Sequence, residues 1–318
     1  ELGFGFDFRD ILKIRKDHRN FFGIVNGYDK RLISPNKEKI EKINAYFGDV
    51  DFKFFDETHL EAKQHNKREF IKLLSRIASD KEYKQKVIPL IDIYQFDSIG
   101  QTLKDPERTP IICATSRLVE QKGYDIAVQA ILNLAQKYGR FRSHLPVFIL
   151  GGAGDANYFE LLMKLKDKVA EVDKKTAERI YVFRGYKDEF AYAIQLASDF
   201  YMMPCRFEPC GLTQMEAMAK GALPIAMSTG GLVDTIEDGV DGFRTEVFFT
   251  EKRRGFGSNL KTNENAYTET LYKALAIYYS KPSQINNMKK KAMEKDFSWN
   301  AEDGSIYKYH RLLKTGHL

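Results

Sequence analysis

Short apolar runs alternate with longer amphipathic segments from residue 110 onwards, and this alternation is the dominant pattern of the chain. The runs are typical of buried parallel strands, and the segments between them repeat apolar residues at helical spacing. Strands are therefore predicted at PIICAT (110–115), PVFIL (146–150), RIYVF (179–183), DFYMM (199–203) and LPIAM (223–227). Helices are predicted over 124–138, 156–172, 187–198, 211–220, 230–236, 265–280, 283–295 and 299–313.

Five repeats of strand, loop and helix predict a doubly wound parallel α/β domain. In such a sheet, ligands bind at the carboxyl ends of the strands. Most of the glycines and charged residues that separate the predicted elements fall in the loops at that edge. These loops are 116–123, 151–155, 185–186, 204–211 and 228–231.

The residues before 110 have a weaker pattern. GIVNGYD (23–29) predicts a short strand at Ile24 and Val25 that runs into an Asn-Gly turn. A helix is predicted from about Leu60 to Ala78, because apolar residues recur along one face. The stretch 81–109 has little periodicity and is expected to be an insertion or a flexible connection.

Composition narrows the class of protein. The chain has 318 residues, 43% of them hydrophobic and 30% charged, which excludes a disordered, collagenous or disulfide-scaffold protein. Its net charge of +6 suits anionic small molecules but does not indicate nucleic acid. No apolar stretch is long enough to span a membrane, and no signal peptide is found. The odd count of 3 cysteines fits a reducing compartment, the cytoplasm or a plastid.

The loop SRLVEQKG places Arg117 and Lys122 close together just past a predicted strand. Two cations at this edge would converge on a diphosphate. If the diphosphate is a leaving group, they would neutralise its negative charge without a metal ion. A solvated turn with both side chains at the surface is the other interpretation, and spacing alone leaves both open.

The segment RFEPCGLTQME carries a second set of candidates. Gly211 and Leu212 are predicted to open a helix whose unpaired amides bind an anion, and Thr213 adds a hydroxyl donor. Glu208 is placed in the loop at the mouth of the cleft, where a carboxylate suits sugar hydroxyls. Glu216 lies along the helix and suits a ribose diol. A capping acid and an ordinary surface Glu remain the alternative.

Two glycine-rich loops are weaker indicators of a ligand site. GGAGD (151–155) matches only part of a dinucleotide fingerprint, because Asn157 stands where the last glycine should be, so a tight turn is favoured over NAD binding. STGGL (228–232) fits either a ligand phosphate or close backbone packing. The histidines show no metal-ligand spacing, and no Ser-His-Asp or Cys-His set is found. We expect neither a metal nor a cofactor.

Several of these segments together resemble the bacterial glycogen synthase and plant starch synthase family. The resemblance covers most of the chain except about 79–108 and 245–265. It implies a GT-B architecture, in which two Rossmann-like domains face each other across a cleft. The residues that carry it are SRLVEQKG, the run from RFEPCGLTQME to STGGLVDTIEDGVDGF, GIVNGYD, NKRE (66–69) and DFSWNAEDGSIYKYHRLL (296–313).

The resemblance also implies an activity. It is the transfer of glucose from ADP-glucose, or from UDP-glucose, to the non-reducing end of an α-1,4-glucan, with retention of configuration and without a metal. By this likeness Arg117 and Lys122 would hold the donor diphosphate, and Glu208 would contact the donor glucose and act in catalysis.

The nucleotide would bind beside these residues, again by resemblance. Tyr186 matches the position that packs on adenine, and Gly211, Leu212 and Thr213 would bind phosphate. Glu216 matches the ribose-binding Glu of related transferases. Many bacterial synthases carry Tyr at that position, which leaves the choice between ADP and UDP open.

The family's first domain is not found in the chain, since its Lys-x-Gly-Gly-Leu loop is absent. We therefore expect 1–22 to be the end of a missing N-terminal domain. We expect 23–296 to be the nucleotide-sugar-binding domain, and 297–318 to be a crossover helix and tail. The expected partners are ADP or ADP-glucose, an α-glucan acceptor and that N-terminal domain. The chain alone is expected to be inactive.

The alternative hypothesis is an inert nucleotide- or glucan-binding module derived from such a synthase. The joint presence of Arg117, Lys122 and Glu208 argues against it, because a pure binder has little use for an acid beside the donor sugar. A transferase acting on lipid or protein is disfavoured, because the resemblance is to glucan synthases.

Overall fold

The predicted strands lie side by side in one sheet in a computed structural model of the chain, which describes residues 14–16, 22–94, 105–137, 145–246 and 260–316. In chain order the strands are β1 (Asp92–Tyr94), β2 (Ile111–Thr115), β3 (Val147–Gly152), β4 (Ile180–Arg184), β5 (Phe200–Met203), β6 (Leu223–Ala226) and β7 (Phe243–Arg244).

The strand order is β1-β4-β3-β2-β5-β6-β7. β1 pairs antiparallel with β4, and all the other pairs are parallel. Without the edge strand β1 this is the order of a Rossmann-like doubly wound sheet, in which the direction of winding reverses between β2 and β5. The predicted fold class is confirmed.

Helices connect the strands and cover both faces of the sheet. Every residue of β3, β5 and β6 is buried, and successive side chains of a strand point to opposite faces, so neither face is open to solvent. The helices are α1 (Lys30–Ile33), α2 (Lys37–Phe47), α3 (Glu61–Ser79), α4 (Lys81–Val87), α5 (Tyr124–Lys137), α6 (Ala156–Ala170), α7 (Lys174–Ala177), α8 (Asp188–Ala197), α9 (Thr213–Ala219), α10 (Gly231–Thr235), α11 (Leu260–Ser280), α12 (Pro282–Glu294) and α13 (Ser305–Thr315).

The strand predicted at Ile24 and Val25 is wrong, because residues 22–29 form no regular element. This segment instead lies against the chain just before α13. The Val25 carbonyl accepts a hydrogen bond from Ser305 Oγ, at 2.6 Å, and Tyr28 N–H donates to the Phe297 carbonyl at 2.6 Å. Its polar backbone groups are thus satisfied by loop residues rather than by a neighbouring strand.

The weakly periodic stretch 81–109 is also more ordered than predicted. It contains α4 and the edge strand β1, and the side chain of Asp80 caps α4. Periodicity is difficult to read in a helix of two turns and a strand of three residues. The predicted remnant 1–22 lies outside the described residues except for 14–16 and Phe22, and its assignment stays a prediction.

A buried ion cluster ties the sheet to two helices at the amino ends of the strands. Asp199 precedes β5, and its carboxylate lies 2.6 Å from Lys67 Nζ on α3 and 2.7 Å from Lys289 Nζ on α12. It also accepts the Ile111 amide at 3.0 Å. Burial alone would raise the pKa of Asp199, but the two ammonium groups overcome it and lower the pKa. The basic run at 289–295 therefore begins with a buried residue rather than a solvated one.

Among the described residues, no helix combines the length and the apolar character that crossing a bilayer requires.

We expect Asp199→Asn to lower the free energy of unfolding by about 3–5 kcal/mol, because it leaves two buried ammonium groups without a carboxylate. Urea unfolding at pH 7 measures the loss. Asp173→Asn is the matched control, since Asp173 caps α7 at the surface and Asn caps equally well. A loss for Asp199→Asn no larger than for the control would contradict a structural role for the cluster.

Candidate functional site

The loops that follow β2 and β5 meet where the sheet reverses, and hydrogen bonds hold them together. The Arg206 guanidinium donates to the Glu120 carbonyl at 3.0 Å and to the Asp125 carboxylate at 2.7 Å. From the other loop, the Gln121 side-chain amide donates to the Phe207 carbonyl at 2.9 Å. These bonds hold the two loops against each other at the carboxyl edge.

Gly123 allows the two loops to approach this closely. It has φ +65°, and a Cβ at this position would collide with the Pro204 carbonyl oxygen. Its backbone ends the turn Glu120–Lys122 in the left-handed region and begins α5. A larger residue would therefore have to separate the loop after β2 from the loop after β5.

A cleft of about 330 Å³ opens beside these loops, and four of the predicted site residues line it. Arg117 comes from the loop after β2, Tyr186 from the loop after β4, and Thr213 and Glu216 from α9. The volume lies within the range of small-molecule sites. The other lining residues are Thr115, Ser116, Ala153, Ala191 and Gln195.

The groups in this cleft are available to a ligand. Arg117 is exposed and makes no hydrogen bond or ion pair through its side chain with another described residue. Tyr186 is 60% exposed and its hydroxyl donates to Asp188 at 2.7 Å, which fixes the ring at the edge of the cleft. In the described structure no side chain caps the start of α9, where Thr213 stands.

Lys122 and Glu208 form an ion pair next to the cleft rather than in it. Lys122 Nζ lies 2.5 Å from Glu208 Oε2, and both side chains are largely buried. Lys122 lines a small cavity that shares Ser116 and Thr213 with the cleft. Arg117 and Lys122 therefore line two adjoining cavities, and their convergence on a diphosphate stays a prediction. The carboxylate of Glu208 already neutralises one of the two cations.

Glu208 is also more buried than predicted. At 6% exposure it lies inside the loop rather than at the mouth of the cleft. The Cys205 thiol lies 3.9 Å from its carboxylate, and burial raises the pKa of that thiol to about 12. Cys205 therefore stays protonated at neutral pH and adds no negative charge beside Glu208.

Two predicted phosphate-binding residues do not line the cleft. Gly211 has φ +72°, and its carbonyl accepts the Gln214 side-chain amide at 2.8 Å. Leu212 precedes the first turn of α9, and its side chain is exposed. The helix begins at Thr213, two residues later than predicted, because Gly211 adopts a left-handed conformation that a helix cannot include.

The glycine-rich loops pack against the site loops. Carbonyl oxygens of residues 208 and 210 stand where a Cβ on Gly230 or Gly231 would be, and the Gly231 amide donates to the Glu208 carbonyl at 2.8 Å. STGGL was expected either to bind a ligand phosphate or to allow close backbone packing, and these contacts support backbone packing. In the loop after β3, Gly154 likewise packs on Leu118, as a tight turn requires.

Sequence reasoning missed two polar residues beside Glu216. Gln195 on α8 is 4% exposed, and its amide nitrogen lies 3.5 Å from Glu216 Oε2, at the outer limit of a hydrogen bond. Lys220, just after α9, is 2% exposed and donates to the Glu216 carbonyl at 3.1 Å. Neither had a signal in the sequence, because Gln and Lys at such helical positions are usually solvated.

The cleft thus presents a cation from the loop after β2, the start of α9, a carboxylate on α9 and an aromatic ring from the loop after β4. This arrangement suits a ligand with an anionic group at one end and a flat, hydroxyl-bearing group at the other. Within the described ranges, no group of His, Cys, Asp and Glu side chains is arranged to hold a metal ion.

Comparison with known proteins identifies the family of the chain. Residues 95–250 match the family model "Glycosyl transferases group 1". The chain is 32% identical over 314 residues to a glycogen synthase of Kosmotoga olearia, covering 99% of this chain and 52% of that protein. It is 29% identical over 300 residues to a glycogen synthase of Thermodesulfovibrio yellowstonii, covering 94% of this chain and 47% of that protein.

A solved structure supports the fold. The catalytic domain of starch synthase IV from Arabidopsis thaliana, bound to ADP and acarbose, superposes with a TM-score of 0.64 at 23% identity, covering 96% of this chain and 51% of that chain. The chain spans about half the length of the curated relatives it matches. The family resemblance is confirmed.

The buried Lys220 makes stability depend on pH. Burial lowers its pKa from 10.5 to about 7, against the favourable charge of Glu216. Below pH 7 the Lys220 ammonium is charged in both the folded and the unfolded chain, and burying this charge on folding costs free energy. Between pH 7 and 10.5 only the unfolded chain keeps the proton, so the cost declines as pH rises.

We therefore expect Lys220→Met to raise the free energy of unfolding at pH 6 by roughly 1–4 kcal/mol, and to have a much smaller effect at pH 10. Urea unfolding at the two pH values measures both effects. Lys290→Met, at an exposed position of α12, is the control and should change neither. An equal increase in the free energy of unfolding of Lys220→Met at both pH values would rule out the titration of Lys220 as its cause.

Proposed function

Because the chain carries a group 1 glycosyl transferase domain and is related to the glycogen synthases, we propose that it is the donor-binding half of a retaining glucosyltransferase. The donor is ADP-glucose or UDP-glucose, and the acceptor is the non-reducing end of an α-1,4-glucan. The observation that carries this proposal is the convergence of Arg117, Tyr186, Thr213 and Glu216 on one cleft where the sheet reverses.

The diphosphate of the donor binds at the sheet end of the cleft. Arg117 offers a planar guanidinium that pairs with phosphate oxygens through two parallel hydrogen bonds. The amides at the start of α9, beside the Thr213 hydroxyl, add donors for the same anion. When the bond between glucose and diphosphate breaks, negative charge grows on the diphosphate, and these groups stabilise it.

The ion pair of Lys122 and Glu208 lies where the diphosphate joins the sugar. The two side chains neutralise each other at 2.5 Å. A bound diphosphate supplies a second anion for Lys122, which leaves Glu208 oxygens to accept hydrogen bonds from hydroxyl groups of glucose. One pair thus serves both the leaving group and the sugar, consistent with the roles that the family resemblance implies.

The nucleoside lies along α9, with its base on the exposed face of Tyr186 and its ribose at Glu216. The starch synthase IV structure named above is bound to ADP, which supports a nucleotide as a ligand of this fold. The α-glucan and an N-terminal domain are the other proposed partners. A reducing location, cytoplasmic or plastid, stays a prediction from the cysteine content.

Transfer activity separates this proposal from an inert module. Glucose incorporation into glycogen is measured for the chain alone and for the chain fused to the N-terminal half of a related synthase. We expect no transfer by the chain alone and measurable transfer by the fusion, because the chain spans about half the length of its relatives and we propose that both halves are needed to exclude water from the pocket. A correctly folded fusion that binds ADP but transfers nothing would favour the inert module.

We expect Arg117→Ala to weaken ADP binding by roughly 1–3 kcal/mol, about 5- to 150-fold in Kd, as for a lost hydrogen bond to a charged group. Calorimetric titration with ADP, and with UDP in parallel, measures this loss. The matched control is Arg108→Ala, which removes the same charge from an exposed residue just before β2, at the opposite edge of the sheet. Equal affinities for the two variants would contradict the diphosphate assignment.

A further inference from the structure

Arg206 is a cation of the site loops to which the proposed function gives no role. It lies in the loop after β5, two residues before Glu208, and it is 8% exposed. It is not among the described residues that line the cleft or the small cavity beside it, so its guanidinium is not placed to touch a ligand there. Its hydrogen bonds are made within the protein instead.

The contacts of Arg206 lie on both sides of Lys122 along the chain. The Arg206 guanidinium donates to the Glu120 carbonyl at 3.0 Å and, through both terminal nitrogens, to the Asp125 carboxylate. Its backbone amide donates to the Gln121 carbonyl at 2.9 Å. One residue thus holds the turn that carries Lys122 at points before and after the lysine.

The backbone next to Glu208 is held by a bond in the opposite direction. The carbonyl of the preceding residue, Phe207, accepts the Gln121 side-chain amide at 2.9 Å, while Gln121 itself accepts the Arg206 amide. The backbones that carry Lys122 and Glu208 are therefore joined directly. Their 2.5 Å ion pair forms between two segments whose separation is set by these bonds.

The chemistry of the guanidinium suits it to this position. Its planar fork binds both oxygens of Asp125 and still has a hydrogen for the Glu120 carbonyl. Lys122 carries its ammonium on a flexible stem, so the place of that ammonium depends on where the backbone is held. Because Asp125 neutralises Arg206, the guanidinium does not compete with Lys122 for Glu208 or for a ligand anion.

We propose that Arg206 is a positioning residue that holds the Lys122 ammonium within reach of both Glu208 and the second phosphate of a nucleoside diphosphate. It thereby sets the preference of the cleft for a diphosphate over a monophosphate. This inference rests on the proposed function, in which the diphosphate becomes a second anion for Lys122. Loss of the Arg206 contacts would let the turn move away from the second phosphate, while the contacts to the first phosphate and the nucleoside would remain.

The test compares a nucleoside diphosphate with its monophosphate. ADP or UDP, whichever binds more tightly, and its monophosphate are titrated calorimetrically into the chain, Arg206→Gln, Lys122→Gln and the double variant. Urea unfolding checks that each variant is folded. Lys122→Gln keeps an amide that can donate to Glu208, so the buried carboxylate retains a partner. The matched control is Arg179→Gln, because Arg179 is half-buried and donates to the Leu145 carbonyl at 2.9 Å, just before β4 at the amino edge of the sheet.

We expect the unmodified chain to prefer the diphosphate by roughly 10-fold or more, as for one hydrogen bond between charged groups. Arg206→Gln should reduce this preference by about 3-fold or more and leave the affinity for the monophosphate unchanged. In the Lys122→Gln background, Arg206→Gln should not change the preference further, and Arg179→Gln should alter neither affinity. A merely structural role of Arg206 would weaken both ligands together and leave their ratio unchanged.

Asp125→Ala releases the guanidinium from its other partner and replaces Arg206→Gln in the test if that variant does not fold. It should reduce the preference for the diphosphate in the same way, and again only when Lys122 is present.

An unchanged preference in the folded variant overturns the inference while leaving the proposed function intact, since the diphosphate still binds. A further loss of preference when Arg206→Gln is added to Lys122→Gln also overturns it, because Arg206 then acts through another group. Equal affinity of the unmodified chain for both ligands has the same consequence. Failure of that chain to bind either diphosphate overturns the proposed function itself, and the inference falls with it.

Discussion

A single buried carboxylate, that of Asp199, determines how the two halves of the sheet meet. It joins β5 to β2 through the Ile111 amide, and it neutralises Lys67 from α3 and Lys289 from α12. Because an unpaired buried charge is costly, these three elements can dock only with the two ammonium groups in contact with the carboxylate. The cluster lies at the amino ends of the strands, which leaves the carboxyl ends free to diverge into loops.

At the opposite edge of the sheet, winding reverses between β2 and β5, and the cleft opens beside the loops that follow these two strands. Hydrogen bonds from Arg206 and Gln121 then fix the loops to each other, while Gly123 permits their close approach. The polar groups of the cleft are therefore held by a rigid frame before any ligand arrives, which lowers the cost of ordering them on binding.

The five strands β2 to β6 could be predicted from the sequence because they are short, apolar and separated by clear turns, whereas the edge strands β1 and β7 have only three and two residues and show no pattern. Arg117, Thr213 and Glu216 were candidates because they lie in or just after loops at the carboxyl edge, whereas Tyr186 was predicted only from the family resemblance. Lys122 and Glu208 were identified, but their pairing was not, since no spacing rule shows which cation a distant carboxylate will neutralise. Gln195 reaches Glu216 from another helix, a contact that no local pattern shows, and Lys289 is buried although a basic run such as 289–295 is usually a solvated helix face.

The central claim is that the carboxyl edge at the reversal of the sheet binds a nucleoside diphosphate. Hydrogen-exchange mass spectrometry of the chain, with and without saturating ADP, tests it most directly because exchange locates the footprint. Protection on adding ADP is expected in peptides covering 116–123, 185–187 and 204–216, with no change in peptides covering 105–110 at the amino edge. Protection confined to other parts of the chain, or none in these three peptides at ADP concentrations up to the millimolar range, would contradict the claim.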